Sequence, residues 1–309
     1  GALAGISSGI GNVGIGFNAG DIITTGSSNV VIGNDADGQA ASLSNAVVIG
    51  ASARGQDTNT IVGQSSTGSA AGVTIVGRAS TGTSTSVVVI GDSSTASGNG
   101  AVVIGNSAGS SGMGVQNIAI GQDCLDGAKT NSPTGIVAIG PLAMRGAVNV
   151  AASNCTAVGF SALTAVTNGT NNTAIGFNAG SALVHLSNNT VVGANSPLTA
   201  NTGGCVVVGT SITTGNSLDS ILIGNSASNN GSNSVIIGNA SNGTNSNTSV
   251  LIGSSTSANG SNNIVIGSSA TTGNEANSIA IGTSAVSAGA AGGVVLGHSA
   301  GSGGMGINN

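Results

Sequence analysis

A short aliphatic run ending in glycine recurs along the whole chain, as in Val30-Val31-Ile32-Gly33, Val102-Val103-Ile104-Gly105 and Ile221-Leu222-Ile223-Gly224. Nineteen such glycines stand at 16, 33, 50, 63, 77, 91, 105, 121, 140, 159, 176, 193, 209, 224, 238, 253, 267, 282 and 297. The residue before each is Ile, Val or Leu, and the residue three before is always Val, Ile or Thr. A run of four is too short for a helix, and β-branched side chains fit a pleated surface, so each run predicts a strand. One unit of 13 to 19 residues cannot bury its own apolar face. Units stacked about 4.8 Å apart bury a continuous one. The pattern therefore predicts an all-β chain, a parallel β-solenoid (β-roll) of about 19–20 short coils and on the order of 90 Å long. It reads as a single domain over 1–309, with short-period coils at 50–105 and 209–297 and longer loops at 105–209.

Composition fits a narrow coil. Glycine accounts for 55 of 309 residues, three are Phe, none is Trp or Tyr, and 4 % are charged. Three residues after each motif glycine the side chain is Ala or Ser in sixteen of nineteen copies, small enough for a second strand to lie close. Asn or Ser commonly precedes the aliphatic run (Asn29, Asn172, Ser234, Asn263), where turn chemistry is expected. Four Lys+Arg against nine Asp+Glu leave no basic stripe, which speaks against nucleic acid as a partner. No stretch has the 18 consecutive apolar residues of a membrane span, so no membrane insertion is expected within this chain.

The middle residue of each run is aliphatic in eighteen copies, with Gly14 the exception. If the two flanking residues face the coil interior, the middle ones face outward, and a strand apolar on both faces is buried on both. That expectation makes Val31, Val48, Val103, Ala119, Ala174, Val191, Val207, Leu222, Ile236, Leu251, Val265 and Ala280 an oligomer interface. Cyclic symmetry with three chains is the favoured form.

The run Asn277-Ser278-Ile279-Ala280-Ile281-Gly282-Thr283-Ser284-Ala285 resembles the head repeat of trimeric autotransporter adhesins, as do Asn263–Gly267 and Ser234–Gly238. The longer unit Asn172-Thr173-Ala174-Ile175-Gly176-Phe177-Asn178-Ala179-Gly180 is similar to variants in phage tail fibres and related viral surface proteins. The resemblance covers essentially the whole chain. It implies a left-handed, trimeric β-roll exposed on a cell or virion surface, with adhesion or host attachment to a receptor or glycan as its role.

At the ends, 299–309 repeats the internal stretch 107–117 that leads into a strand, while Gly1-Ala2-Leu3-Ala4-Gly5 reads as a degenerate strand. Ala2, Leu3, Ala4, Met305 and Ile307 are thus candidates for end-to-end contact, which would make a head-to-tail filament. A longer solenoid cut at a repeat boundary, with Gly1 in place of an initiating Met, fits the same residues.

Little chemistry is in sight, so no enzyme, cofactor or metal is expected. His185 and His298 lie seven coils apart, about 34 Å at the strand spacing, and only Cys205 falls near the loop bearing His185. Asp35 and Asp37 match a fragment of a calcium loop and read as turn residues. Cys124 occupies a small-residue position. Cys155 and Cys205 are three coils apart, roughly 14 Å and beyond disulfide reach. Phe160 and Phe177 should stack on adjacent coils, with packing under the longer loops favoured over a ligand platform. Receptor contact is expected in those loops, at Lys129, Arg145, Phe160, Phe177 and His185. Two other functions remain in view: a structural subunit polymerising into an extracellular filament, and an ice-binding solenoid. The latter needs a regular Thr array, and the Thr pairs at 58–60 and 83–85 do not recur in register.

Overall fold

Every aliphatic run forms a strand, and within each of two units the strand pairs in parallel with the next without a slip in register. The computed structural model describes residues 1–109, 113–127, 132–146, 152–185, 187–198, 202–289 and 291–301. Lys129, Met305 and Ile307 lie outside the described residues. The chain divides into two compact units, Gly1–Val158 and Gly159–Asn309.

In the first unit, ten strands from Val13–Ile15 to Thr156–Val158 form one parallel ladder. Val30 stands opposite Val47, Val31 opposite Val48 and Ile32 opposite Ile49, and later coils repeat this alignment. In the second unit, nine strands from Thr173–Ile175 to Val294–Leu296 do the same. Each unit is a parallel β-solenoid, and the described residues contain no helix.

A second, shorter sheet follows the motif glycine where the coils are tight. In the first unit it runs through Asp37–Gly38, Arg54–Gly55, Thr67–Gly68, Thr81–Gly82 and Thr95–Ala96. In the second unit it runs through Thr213–Thr214, Ser228–Asn229, Asn242–Gly243 and Ser257–Ala258. The longer coils replace this strand with a turn whose corner residue is left-handed: Leu125, Met144, Leu163 and Gly180 all have φ between +49° and +58°.

Three backbone positions close each coil. The residue five before the motif glycine, the glycine itself and the residue two after it all have positive φ in the nineteen copies. The residue five before is usually Asn, Ser, Thr or Gly, types that accept the left-handed region more readily, so turn chemistry sits one residue earlier than expected. The motif glycine is required on a second count. A Cβ on Gly33 would lie against the carbonyl of Gly50, and one on Gly50 against that of Gly63, so the glycines stack backbone on backbone.

The core lies between the two sides of each coil. It receives the residues four and two before the glycine and the residue three after it, as in Asn29, Val31 and Ala36 of one coil. The small-residue position is fully buried throughout, from Ala19 to Ala285. Volumes compensate across the coil: a Cβ on Gly55 would strike Val48, and one on Gly68 would strike Ile61.

Buried polar ladders satisfy the corners. Ser66 Oγ donates to the Gly77 carbonyl (2.6 Å) and accepts from the Ser80 amide (3.1 Å), and Ser80 repeats this with Gly91 and Ser94. Asn29 Nδ2 donates to Asn12 Oδ1 (2.9 Å) and the Leu43 carbonyl (2.6 Å), while its Oδ1 accepts from Ala46 N–H (3.0 Å). Burial without partners would cost about 1–3 kcal/mol per group, so these ladders let Ser and Asn serve as core residues.

Candidate functional site

The solenoid reverses the expected inside and outside of the first sheet. Val31, Val48, Val103, Ala119, Ala174, Val191, Val207, Leu222, Ile236, Leu251, Val265 and Ala280 are all fully buried within the single chain. They cannot form an oligomer interface. The coil has room for one central row, and the middle residue fills it against the small residues opposite.

The flanking residues point outward instead. In the second unit Val206, Val208, Ile221, Ile223, Ile237, Ile252, Ile264 and Ile281 are among the exposed large side chains, at 36–38 % of their full surface. In the first unit Val62, Val76, Ile90 and Ile139 occupy the same outer position. Two rows, one of Ile, Val and Leu and one of Val, Ile and Thr, thus run up the face of each unit in strict register. Nine strands at the usual spacing make a strip roughly 40 Å long in the second unit. Such a strip is at the upper end of what an isolated soluble chain leaves bare.

The second sheet presents the opposite chemistry. Its outward residues are Arg54, Thr67, Thr81 and Thr95 in the first unit, and Thr213, Ser228, Asn242 and Ser257 in the second. Thr60 stacks on Thr74 in the first sheet, whereas Thr83 donates its amide to Ala96, so the Thr pairs at 58–60 and 83–85 do not share a row. Thr67, Thr81 and Thr95 do align, over three coils, and Arg54 bounds the array.

Phe160 and Phe177 stack as expected, with ring centroids 5.5 Å apart and planes 16° from parallel. They are not covered by loops. At 43 % and 48 % exposed they stand on the surface, one residue past the motif glycine and therefore beside the outward aliphatic rows. His185 is exposed, and its Nδ1 is 2.8 Å from Thr167 Oγ1. Arg145 is exposed, with its amide donating to the Leu142 carbonyl.

Cys205 is buried away from the His185 surface. Its thiol donates to the Gly203 and Ser217 carbonyls at 3.6 and 3.5 Å, and burial raises its pKa. Cys124 is buried and donates its thiol to the Ala138 carbonyl (3.2 Å). Ala2–Gly5 form a turn rather than a strand. Leu3 pairs its amide with the Ala19 carbonyl, and its side chain fills the space left by Gly14 and Gly20, so Leu3 belongs to the chain's own first coil.

Asp35 is a left-handed turn residue, as expected, and accepts from the side-chain amides of Asn18 and Asn34. Asp37 is not. It opens a second-sheet strand, is 3 % exposed, and accepts from the amides of Ile22 and Gly38. Burial, then a hydrogen bond with the Asp21 carboxyl on the neighbouring coil, raises its pKa to about 6. The described residues contain no group of three or more His, Cys, Asp or Glu placed to hold a metal ion, and no helix long and apolar enough to cross a membrane. Among the described residues one ion pair joins Arg78 to Asp92 (2.6 Å) across adjacent coils and lowers the Asp92 pKa. No family model matches the chain, and no curated protein matches it.

Proposed function

We propose that the chain is a non-enzymatic fibrous protein of a cell or virion surface, built to associate with identical copies along its outward aliphatic rows and to serve adhesion or attachment. One observation carries this reading: Ile, Val and Leu occupy every outer position before the motif glycine, although the side chains there are not needed to fill the coil. A second copy offers the same rows at the same spacing, so two such faces can interlock along their full length. Burying a half-exposed Ile or Val contributes on the order of 1 kcal/mol, and rows of nine or ten strands multiply that sum. Three chains turning this face to a common axis is the form favoured, in keeping with the resemblance to trimeric adhesin heads.

The test is the mass of the full chain in solution, by light scattering or native mass spectrometry. Three copies are expected at micromolar concentration. A stable monomer would remove the basis of the reading. Electron micrographs separate the two fibrous roles: discrete particles fit an adhesive element, and long unbranched filaments fit a polymerising subunit. The aligned Thr67, Thr81 and Thr95 cover too few coils for an extended ice-binding plane.

A further inference from the structure

We infer that the second unit carries a binding site for a neutral oligosaccharide on its second sheet. The inference rests on the adhesive reading and names the ligand class for it. Three consecutive coils there enclose a shallow depression of about 320 Å³. Asn242 and Thr244 line it from the first coil, Ser257 and Asn259 from the second, and Gly273 and Asn274 from the third.

The lining is uncharged, and apart from Ala258 and Gly273 every side chain in it carries an amide or a hydroxyl. A peptide ligand ordinarily needs an apolar or aromatic anchor pocket, and the depression has none. A nucleic acid or other polyanion needs cations, which are also missing from the lining. What the walls offer is amide and hydroxyl groups. A primary amide presents a donor and an acceptor side by side, which matches two neighbouring hydroxyls of a sugar ring.

The amides are already oriented. Asn259 Oδ1 accepts from Asn245 Nδ2 (3.0 Å), and Asn259 Nδ2 donates to Asn274 Oδ1 (2.5 Å). Thr244 Oγ1 donates to Asn242 Oδ1 (2.7 Å). These bonds fix the amide planes and leave further donor and acceptor capacity on each group. The coils repeat at the strand spacing of about 4.8 Å, so equivalent amides recur at close to the length of one sugar residue.

An independent observation lies at the rim. Glu275 anchors one carboxylate oxygen on the Gly289 amide (2.9 Å), while Oε2 is buried with no hydrogen-bond partner among the described residues. That oxygen sits where a side chain on Gly273 would begin, 2.7 Å from the position of a Cβ. Gly273 thus makes room beside the depression for an acceptor that is closed to solvent in this conformation, and turning the Glu275 side chain outward would offer it to a ligand hydroxyl. With no aromatic ring to stack on, a single site is weak, about millimolar. Several copies in one assembly raise the effective affinity by avidity.

Saturation-transfer NMR on the full chain tests this, with chitotriose as the neutral probe and 3′-sialyllactose as the acidic one. Transfer to chitotriose is expected, and Asn259→Leu and Thr244→Val should each reduce it about fivefold, the loss of one hydrogen bond. Thr81→Val, on the other unit, should leave it unchanged. No transfer to chitotriose, or equal transfer in variants that still melt cooperatively, overturns the site. Transfer chiefly to sialyllactose overturns its neutral character. Light scattering on the same samples keeps the outcomes apart: three chains without sugar transfer removes the glycan site and leaves the fibrous reading standing.

Discussion

The two sheets of one coil solve the same hydrogen-bonding problem and show the solvent different chemistry. Thr67, Thr81 and Thr95 face outward from the second sheet, while Ile90 and Ile104 hold the outer position of the first, within the same coils. Both ladders are parallel and in register. Stacking alone therefore does not call for Ile or Val on an outer face, because Thr and Ser support it on the other side. The second sheet acts as an internal control: aliphatic residues stand where another surface is to be covered, and hydroxyl residues where water is to remain.

The strongest way to break the comparison uses two adjacent residues. Leu222→Asp places a charge in a fully buried position and should abolish cooperative folding of the second unit, seen by circular dichroism. Ile223→Asp, on the outer row, should fold normally and yet weaken assembly by about a hundredfold, seen by light scattering. A folded Leu222→Asp would show that the middle row does not face inward. On that dissociated background, Leu222→Ala should cost about 2–5 kcal/mol in denaturant titration. Ile237→Ala should cost less than about 0.5 kcal/mol there, since its side chain then faces water.

A smaller effect concerns Asp37, the one outward second-sheet position that is buried. Its carboxyl, facing Asp21 and with Arg54 opposite in the ladder, is raised from the usual 3.8 to about 6 by burial and by the Asp21 hydrogen bond. The folded chain then holds a proton that the unfolded chain has released, so stability is highest below about pH 4 and falls as pH rises to about 6. Melting temperature should therefore drop by several degrees between those values and stay level above. Asp37→Asn should flatten the profile, and an unchanged profile in that variant would place the titration elsewhere. The smallest effect compares two half-buried threonines. Thr81→Lys, on the second sheet, should leave mass and stability within about 0.5 kcal/mol of the parent, whereas Thr74→Lys, on the first, should loosen the assembly.

Fold class, strand positions and register were legible because a recurrent β-branched run and a fixed glycine leave one consistent ladder. The buried small position after the glycine and the Phe160–Phe177 stack followed from the same spacing. Which face of the strand turns inward was not legible from polarity, since both rows are apolar. The signal that could have decided it is volume. The middle row varies from Ala138 to Ile236, and its size trades against the far side of the coil: Gly243 lies against Ile236, and Gly55 against Val48. The outer row stays close to one size, as expected where nothing opposite constrains it within the chain. The Asn259–Asn274 surface escaped notice because its residues look like ordinary turn formers until the coils align them.

Zero slip in register has a consequence for how such a chain can change. Within each unit the coils leave and re-enter the ladder at the same backbone position, so the stretch between two motif glycines is an exchangeable module. Removing 64–77 joins Gly63 to Arg78, residues that occupy the positions Gly77 and Arg78 already hold, and the ladder closes over the gap. Recombination between any two copies conserves reading of the pattern whatever the coil length. A gene of this kind can gain or lose length in whole steps of one strand spacing, and each product inherits both faces intact.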